Sequence, residues 1–261
     1  MHFQNSHTMK TKSILFVSLF LAVALLGKAQ HFAPDIQEEH LKGPVKSLLS
    51  TTRTASGRVV GQPVRHNFNS DGYFTRTTYY DTAGNPVIVV NFTYDKNNRL
   101  VKDLRTLEPY SRLLSQTLYS YDKKQHTITA DMLGIADSIE ERTIYTFDKH
   151  DVLRKISVID ADGKLMAATT YAYNDFGYRT LVTFTEGENE IYKGTEKFRY
   201  DTDGHLAEHC NYYLMTLRQA FLYTYYYDEY GNWTQAYVYH VNPTEGYLYQ
   251  VITREITYFE D

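Results

Sequence analysis

The sequence predicts an all-β protein: tandem antiparallel β-hairpin repeats with a period of about 26–27 residues, forming one long, twisted or curled meander sheet. Three observations carry this. Pairs of aromatic residues two positions apart, followed at once by Asp or Asn, recur at Phe92/Tyr94-Asp95, Tyr119/Tyr121-Asp122, Tyr145/Phe147-Asp148, Tyr171/Tyr173-Asn174, Phe198/Tyr200-Asp201 and Tyr225/Tyr227-Asp228. With the looser copy His66/Phe68-Asn69, the anchors at 68, 94, 121, 147, 173, 200 and 227 lie 26 or 27 residues apart, which marks a repeat architecture. The composition, with 25 Tyr and 13 Phe, is that of a strand-former. After residue 30 no stretch of helical length carries an apolar stripe at 3.6-residue spacing.

In chain order, residues 1–29 read as a signal peptide. Lys10 and Lys12 precede an apolar run from Ile14 to Leu26, and Gly27-Lys28-Ala29 supplies small residues at the cleavage site. That run is too short to span a bilayer, which takes about 20 residues. Removing it takes away Lys10, Lys12 and Lys28 and moves the formal charge from −4 to −7. An acidic mature chain does not suit nucleic acid or anionic lipid, since both need clustered cations. Cys210 is the only cysteine, so no intrachain disulfide can form. Residues 30–42 are a lead-in whose best helix candidate runs from Asp35 to Leu41. Residues 43–261 form the repeat domain, beginning near Leu41-Lys42-Gly43 with Ala55-Ser56-Gly57 as its first mid-turn, for seven or eight hairpins.

Within one repeat, Asp201-Thr202-Asp203-Gly204 is a turn. The Asp carboxylate can accept backbone N–H bonds two residues on, and Gly can take positive φ. His205 to Tyr213 runs out as a strand and Gln219 to Tyr227 returns. Phe221, Tyr223, Tyr225 and Tyr227 lie on one face of the return, with Ala220, Leu222, Thr224 and Tyr226 on the other. Side by side, the repeats align their rings into ladders, and no single hairpin can bury its ring face alone.

The Tyr-Asp-x-x-Gly anchor resembles the tyrosine-aspartate (YD) repeat of the RHS family. It is carried by Tyr80-Asp81-Thr82-Ala83-Gly84-Asn85, Tyr200-Asp201-Thr202-Asp203-Gly204 and Tyr227-Asp228-Glu229-Tyr230-Gly231-Asn232. The resemblance implies hairpins that in large members spiral into a shell around a toxic C-terminal cargo. Here Tyr258-Phe259-Glu260-Asp261 follows the last strand directly, which implies the repeat without cargo. With Leu41-Lys42-Gly43-Pro44-Val45-Lys46 ahead of degenerate repeats, the chain also resembles small secreted proteins of Bacteroidetes. In that setting Asp81-Thr82-Ala83 and Asp137-Ser138-Ile139 are similar to an O-glycosylation acceptor pattern.

Candidate chemistry is sparse. Asp160-Ala161-Asp162-Gly163 and Asp201-Thr202-Asp203-Gly204 suggest calcium, but the twelfth position of an EF-hand loop is occupied by Tyr171 or Tyr212 where a Glu is required. His205, His209 and Cys210 do not converge on one strand face. Turn and strand roles are the expectation for these groups, with no metal and no cofactor. No nucleophile elbow, phosphate loop or His-Glu metal motif is present, so the expectation is a non-enzyme. The ligand-binding candidates are the rings Tyr223, Tyr225, Tyr226, Tyr230, Trp233, Tyr237 and Tyr239, which suit sugar stacking.

The expected function is a secreted or periplasmic, non-catalytic binding or scaffold repeat, with a glycan or envelope protein as partner and no nucleic acid. The alternatives are an envelope assembly component pairing through free strand edges, or a shell-like remnant without cargo. An outer-membrane barrel ranks lower, because Lys102, Arg105, Lys197 and Arg199 interrupt any lipid-facing band.

Overall fold

The computed structural model describes residues 35–134, 136–242 and 245–260. The expected signal peptide and the first residues of the lead-in lie outside these. A short helix, α1 (Asp35–Glu38), falls where the sequence placed one. Eight hairpins follow: β1 (Val45–Thr54) with β2 (Val59–Phe68), β3 (Phe74–Tyr80) with β4 (Pro86–Tyr94), β5 (Leu100–Leu107) with β6 (Arg112–Asp122), and β7 (Thr127–Leu133) with β8 (Ile139–Phe147). The remainder are β9 (Leu153–Asp160) with β10 (Leu165–Tyr173), β11 (Arg179–Glu186) with β12 (Ile191–Tyr200), β13 (Leu206–Tyr213) with β14 (Thr216–Tyr227), and β15 (Trp233–Val241) with β16 (Gly246–Tyr258).

Every strand pairs antiparallel with its neighbours in sequence, and β1 also pairs with β16, so the sheet is a closed 16-strand barrel. This corrects the expected open, twisted or curled sheet. Leu48 faces Ile256 and Thr52 faces Ile252 across the seam. Ser47 Oγ and Thr257 Oγ1 share a 2.7 Å hydrogen bond, and Phe259 N donates to Pro44 O at 2.8 Å.

The turns explain the curvature. The register shifts beside the Asp or Asn turn at Asn67/Phe68, Thr93/Tyr94, Thr146/Phe147, Ala172/Tyr173, Arg199/Tyr200 and Tyr226/Tyr227. Each bulge bends and twists its strand in the same sense, and repetition brings the first strand round to the last. Turns that lack Gly adapt: Asp151 takes φ 61° in place of Gly, while Asp148 Oδ1 accepts from His150 N and Val152 N at 2.8 and 3.1 Å.

Directly opposed residues share a face, so the register sorts the wall into two sides. The ring face points inward. Tyr145 pairs with Ile128 and Ile156, and these pack with Ala130 and Leu153 into a buried cluster bordered by Tyr119, Tyr121, Phe147 and Tyr171. The outer wall is largely polar: Arg142 pairs with Asp131 at 2.6 Å and Arg199 with Glu208 at 2.9 Å. Lys102 and Lys197 also point outward, whereas Arg105 opposes Val90 and Ser115 on the inner wall.

The barrel has two unlike rims. Turns after the even-numbered strands, together with α1 and the C-terminal end of β16, form the near rim. Turns after the odd-numbered strands form the far rim. Tyr80-Asp81-Thr82-Ala83-Gly84-Asn85 joins β3 to β4 and lies on the far rim, opposite the turns that begin at Asp201 and Asp228.

Closure also overturns the expectation of a secreted, carbohydrate-binding YD-type scaffold and its edge-pairing alternative. A barrel has no free edge strand to offer a partner, and rings that line its interior form no open trough.

The seam makes a direct prediction. Leu48 is 0% exposed between β16 and β2. Leu48→Ala is expected to cost about 2–5 kcal/mol, measured as a fall in the urea midpoint. A midpoint equal to wild type would mean that β1 does not close the barrel.

Candidate functional site at the near mouth of the bore

The N-terminal segment enters the barrel. Ile36 N donates to Gly72 O at 2.9 Å, and Asp35 Oδ2 accepts from Phe74 N at 2.6 Å, which ties the start of α1 to the turn before β3. The Asp35 carboxylate also hydrogen-bonds the Tyr94 side chain of β4. At the other end of the segment, the His40 ring lies 6.4 Å from that of Tyr178, at the head of β11. In the ring of strands β3 and β11 are diametrically opposed. The segment is compact, with Leu41 N donating back to Ile36 O at 2.9 Å, and it sits in the near mouth with contacts to the turn before β3 and, through the His40 ring, to the head of β11.

Charge fixes its depth. Arg254 Nη2 donates to Glu39 Oε2 at 2.5 Å, and Nη1 donates to Glu39 O at 3.1 Å. Arg254 opposes Ser50 on the inner wall, and its guanidinium sits 3.6 Å from the centre of the Trp233 ring. The arginine is thus enclosed by one carboxylate, one carbonyl and one indole face, each favourable to a cation in a low-dielectric site. Ile36 and Leu41 pack with Val45, Leu48 and Phe68, so the segment also fills apolar space.

A latch holds the segment where it leaves the bore. Asn232, 1% exposed, accepts from Lys42 N through Oδ1 at 2.6 Å. Its Nδ2 donates to Lys42 O at 2.9 Å and to Tyr258 Oη at 2.8 Å. Tyr258 Oη in turn donates to Asp228. The Tyr230 ring stacks on Tyr258 at 4.2 Å and lies over Gly43. Gly43 has φ +77°, and a Cβ there would come within 3.1 Å of Tyr230. Any other residue would be strained on both counts.

Burial shapes the titration of the stopper. Desolvation pushes the Asp35 carboxyl up to about 7, with a smaller contribution from the nearby Glu39 charge. Burial holds the His40 imidazole below its ordinary value.

The seven candidate rings divide among three places. Tyr225 and Trp233, 5.5 Å apart, line the bore with Tyr223, and Tyr225 Oη donates to Leu206 O at 2.7 Å. Tyr226, Tyr237 and Tyr239 lie on the outer wall, the first two edge to face at 5.8 Å. Tyr230 belongs to the latch. The wall separates them, and no one ligand could touch all seven.

Asp201, Asp203 and His205 bring ligand atoms within 4.8 Å of one another. Asp201 Oδ1 is also engaged by its own turn, accepting from Asp203 N and His205 N at 3.0 and 2.8 Å. His209 lies on the inner wall, stacked on Phe198 at 4.7 Å, and Cys210 is buried facing the other way. Asp35, Glu39 and Arg254 were not singled out by sequence reasoning. The available signal was Arg254 itself, an arginine on the inward face of Ile252, Ile256 and Tyr258.

No family model matches the chain, and neither does any curated protein. Among solved structures, a porin-like protein from Bacteroides uniformis is similar at 14% identity and a TM-score of 0.40, with 83% of this chain and 98% of that one covered. A porin-like protein from Bacteroides vulgatus gives 13% identity and a TM-score of 0.33, covering 81% and 98%. The TcdB2-TccC3-TEV structure gives 13% identity and a TM-score of 0.25, covering 81% of this chain and 16% of that one. These values are too low to carry a functional assignment.

Two predictions follow from the stopper. A free aspartic acid titrates near 3.8 and docked Asp35 near 7, so the docked state holds its proton more tightly. The contribution of Asp35 to docking is therefore fully present below about pH 4 and is lost as pH rises through about 7. Amide protection over residues 35–43, taken relative to the unfolded exchange rate at each pH, should fall across that window, and Asp35→Asn should flatten the dependence; an unchanged slope of protection in the variant would refute the assignment. Separately, Glu39→Gln leaves Arg254 without its counter-charge and is expected to weaken docking by about 3–5 kcal/mol. Limited proteolysis near residue 40 reports this loss, and wild-type resistance would count against the ion pair.

Proposed function

We propose that the chain is an exported β-barrel of the cell envelope, built on outer-membrane lines, whose bore is closed at one mouth by its own N-terminal segment. The observation that carries this reading is the pairing of β1 with β16. In hydrocarbon, all backbone polar groups must be satisfied within the protein, and a strand-built wall achieves that only when it has no edge. An even number of antiparallel strands joined by hairpins meets the requirement. The export signal read in residues 1–29 supplies the route. The α1 segment makes the bore a stoppered passage, and opening it would require breaking the Glu39–Arg254 pair and the Asp35 contacts.

A second reading is favoured by the chemistry of the wall. Membrane barrels are apolar outside and polar inside. Here the rings point in, while Lys102, Arg142, Lys197 and Arg199 point out. Each lysine or arginine at a bilayer midplane costs about 2–4 kcal/mol. On this reading the barrel stands in water beside the membrane and meets lipid along one sector only.

Fractionation of the producing cell tests both. Recovery of the mature chain with the envelope supports the proposal, and recovery from the cytoplasm would overturn it. Alkaline carbonate then separates the two seatings: retention in the membrane pellet indicates a spanning barrel, and release indicates a barrel held at the surface.

A further inference from the structure

Inside the bore, away from the stopper, polar groups of the inner wall meet without completing their hydrogen bonds. Glu196 on β12 opposes Val182 on β11 and Asn211 on β13, and Asn211 opposes Gln219 on β14, so the three polar side chains share the inward face. The next row toward the near rim is Phe198, His209 and Phe221.

Glu196 is paired only electrostatically. His209 Nε2 lies 3.5 Å from Glu196 Oε2, and among the described residues no hydrogen bond reaches that carboxylate. His209 Nε2 is itself buried without a hydrogen-bond partner. Asn211 Nδ2 donates to Gln219 Oε1 at 3.4 Å, which leaves Asn211 Oδ1 buried and unpartnered. Buried polar atoms left without partners are costly and scarce in folded proteins. Here a carboxylate, an amide oxygen and an imidazole nitrogen with such deficits come together on adjacent strands.

Neighbouring cations are engaged elsewhere. Lys193, on the same strand, holds Glu186 at 2.5 Å, and Arg179, toward the near rim, lies 4.8 Å from the centre of the Phe198 ring. Glu196 faces the bore yet keeps 23% of its side chain exposed, so open space lies in front of it. Tyr171 on β10 and Tyr223 on β14, both half-buried, lie within electrostatic reach of the carboxylate from either side.

We infer that this patch is a binding site for a small primary amine in its ammonium form, entering by the far mouth. An ammonium group supplies what the wall lacks, a positive charge and three N–H donors, for the Glu196 carboxylate and Asn211 Oδ1. The ring faces beside the carboxylate favour a cation over an anion. The stopper sits in the near mouth, which leaves the far rim as the way in. The inference goes beyond the envelope reading and does not depend on it.

The test is calorimetric titration of the folded mature protein with benzylammonium chloride, benzyl alcohol and sodium benzoate. Benzylammonium is expected to bind at one site, with the alcohol and the benzoate weaker by about tenfold or more, the scale of one charge-assisted hydrogen bond. Glu196→Gln keeps the size of the side chain and removes its charge. Because Glu196 accepts no hydrogen bond among the described residues, the variant should keep the wild-type thermal midpoint while its affinity for benzylammonium falls about tenfold or more. Glu255→Gln, on the outer wall, should bind as wild type does.

Benzoate or benzyl alcohol binding wild type as tightly as benzylammonium would overturn the proposal, and so would no binding of benzylammonium at about 10 mM. Undiminished binding by folded Glu196→Gln, or an equal loss in Glu255→Gln, would overturn it too. The selectivity among the three probes is read on wild type alone, so the test stands even where a variant fails to fold. None of these results bears on fractionation of the producing cell, so failure here is distinguishable from failure of the envelope reading.

Discussion

The hydrogen-bonded seam between β1 and β16 is the constraint on which the molecule depends. Its two sides lie about two hundred residues apart in sequence, with Leu48 opposite Ile256 and Ser47 opposite Thr257. Loop-closure entropy rises only slowly with length, so the larger requirement is geometric. The sheet must arrive at its own first strand in the right register. Bulges beside most of the near-rim turns, though not the one between β6 and β7, add twist to the wall. Once closed, no row of backbone donors and acceptors is left open. The seam and the stopper are also one structure: Asn232 and Tyr258, at its near end, grip Lys42 and so hold the chain leading from α1.

Closure decides which side of the sheet is dry. The rings sit on the concave face, where neighbouring strands bring them within contact, as with Tyr225 and Trp233 or Tyr178 and Tyr200. The residues between the paired rings, such as Thr93, Ser120 and Arg199, are left on the convex face. This ordering inverts that of a membrane-spanning wall. It explains why the outer surface bears ion pairs such as Arg142–Asp131.

Much of the hairpin order was legible because rings and turn residues repeat with the strands. Gly204 and Gly231 take positive φ where the Asp-x-x-Gly pattern places them, and the short helix at Asp35 was visible as the one non-strand segment. Closure was not legible. Pairing of β1 with β16 uses Leu48, Thr52, Ile252 and Ile256, none of which belongs to the repeated motif. The Tyr80-Asp81 motif misled in a simpler way. It matches the anchor in residue type, but Tyr94-Asp95 follows half a period later, which places the two turns at opposite rims. The candidate rings were chosen by residue type, and a strand sends alternate side chains to opposite sides of a wall. Tyr225 and Tyr226 are therefore neighbours in sequence and strangers in space.

The stopper is held by charge as well as by shape. Elsewhere the bore is lined mostly by rings and aliphatic side chains, with polar groups such as Asp103 and Arg105 among them. The stopper instead places a carboxylate, Glu39, against a buried guanidinium, and a second carboxyl, Asp35, against a backbone N–H. Replacing a buried ion pair with apolar groups of similar volume is often neutral or stabilising, whereas removing one partner is costly. An apolar plug would therefore seal at least as firmly. What the charged arrangement adds is a single fitting position, with Glu39 seated on Arg254 over Trp233, and a strength of attachment that depends on proton and salt concentration. Both are properties of a closure that can be released, and an apolar cluster such as Ile128, Ala130, Leu153 and Ile156 has neither.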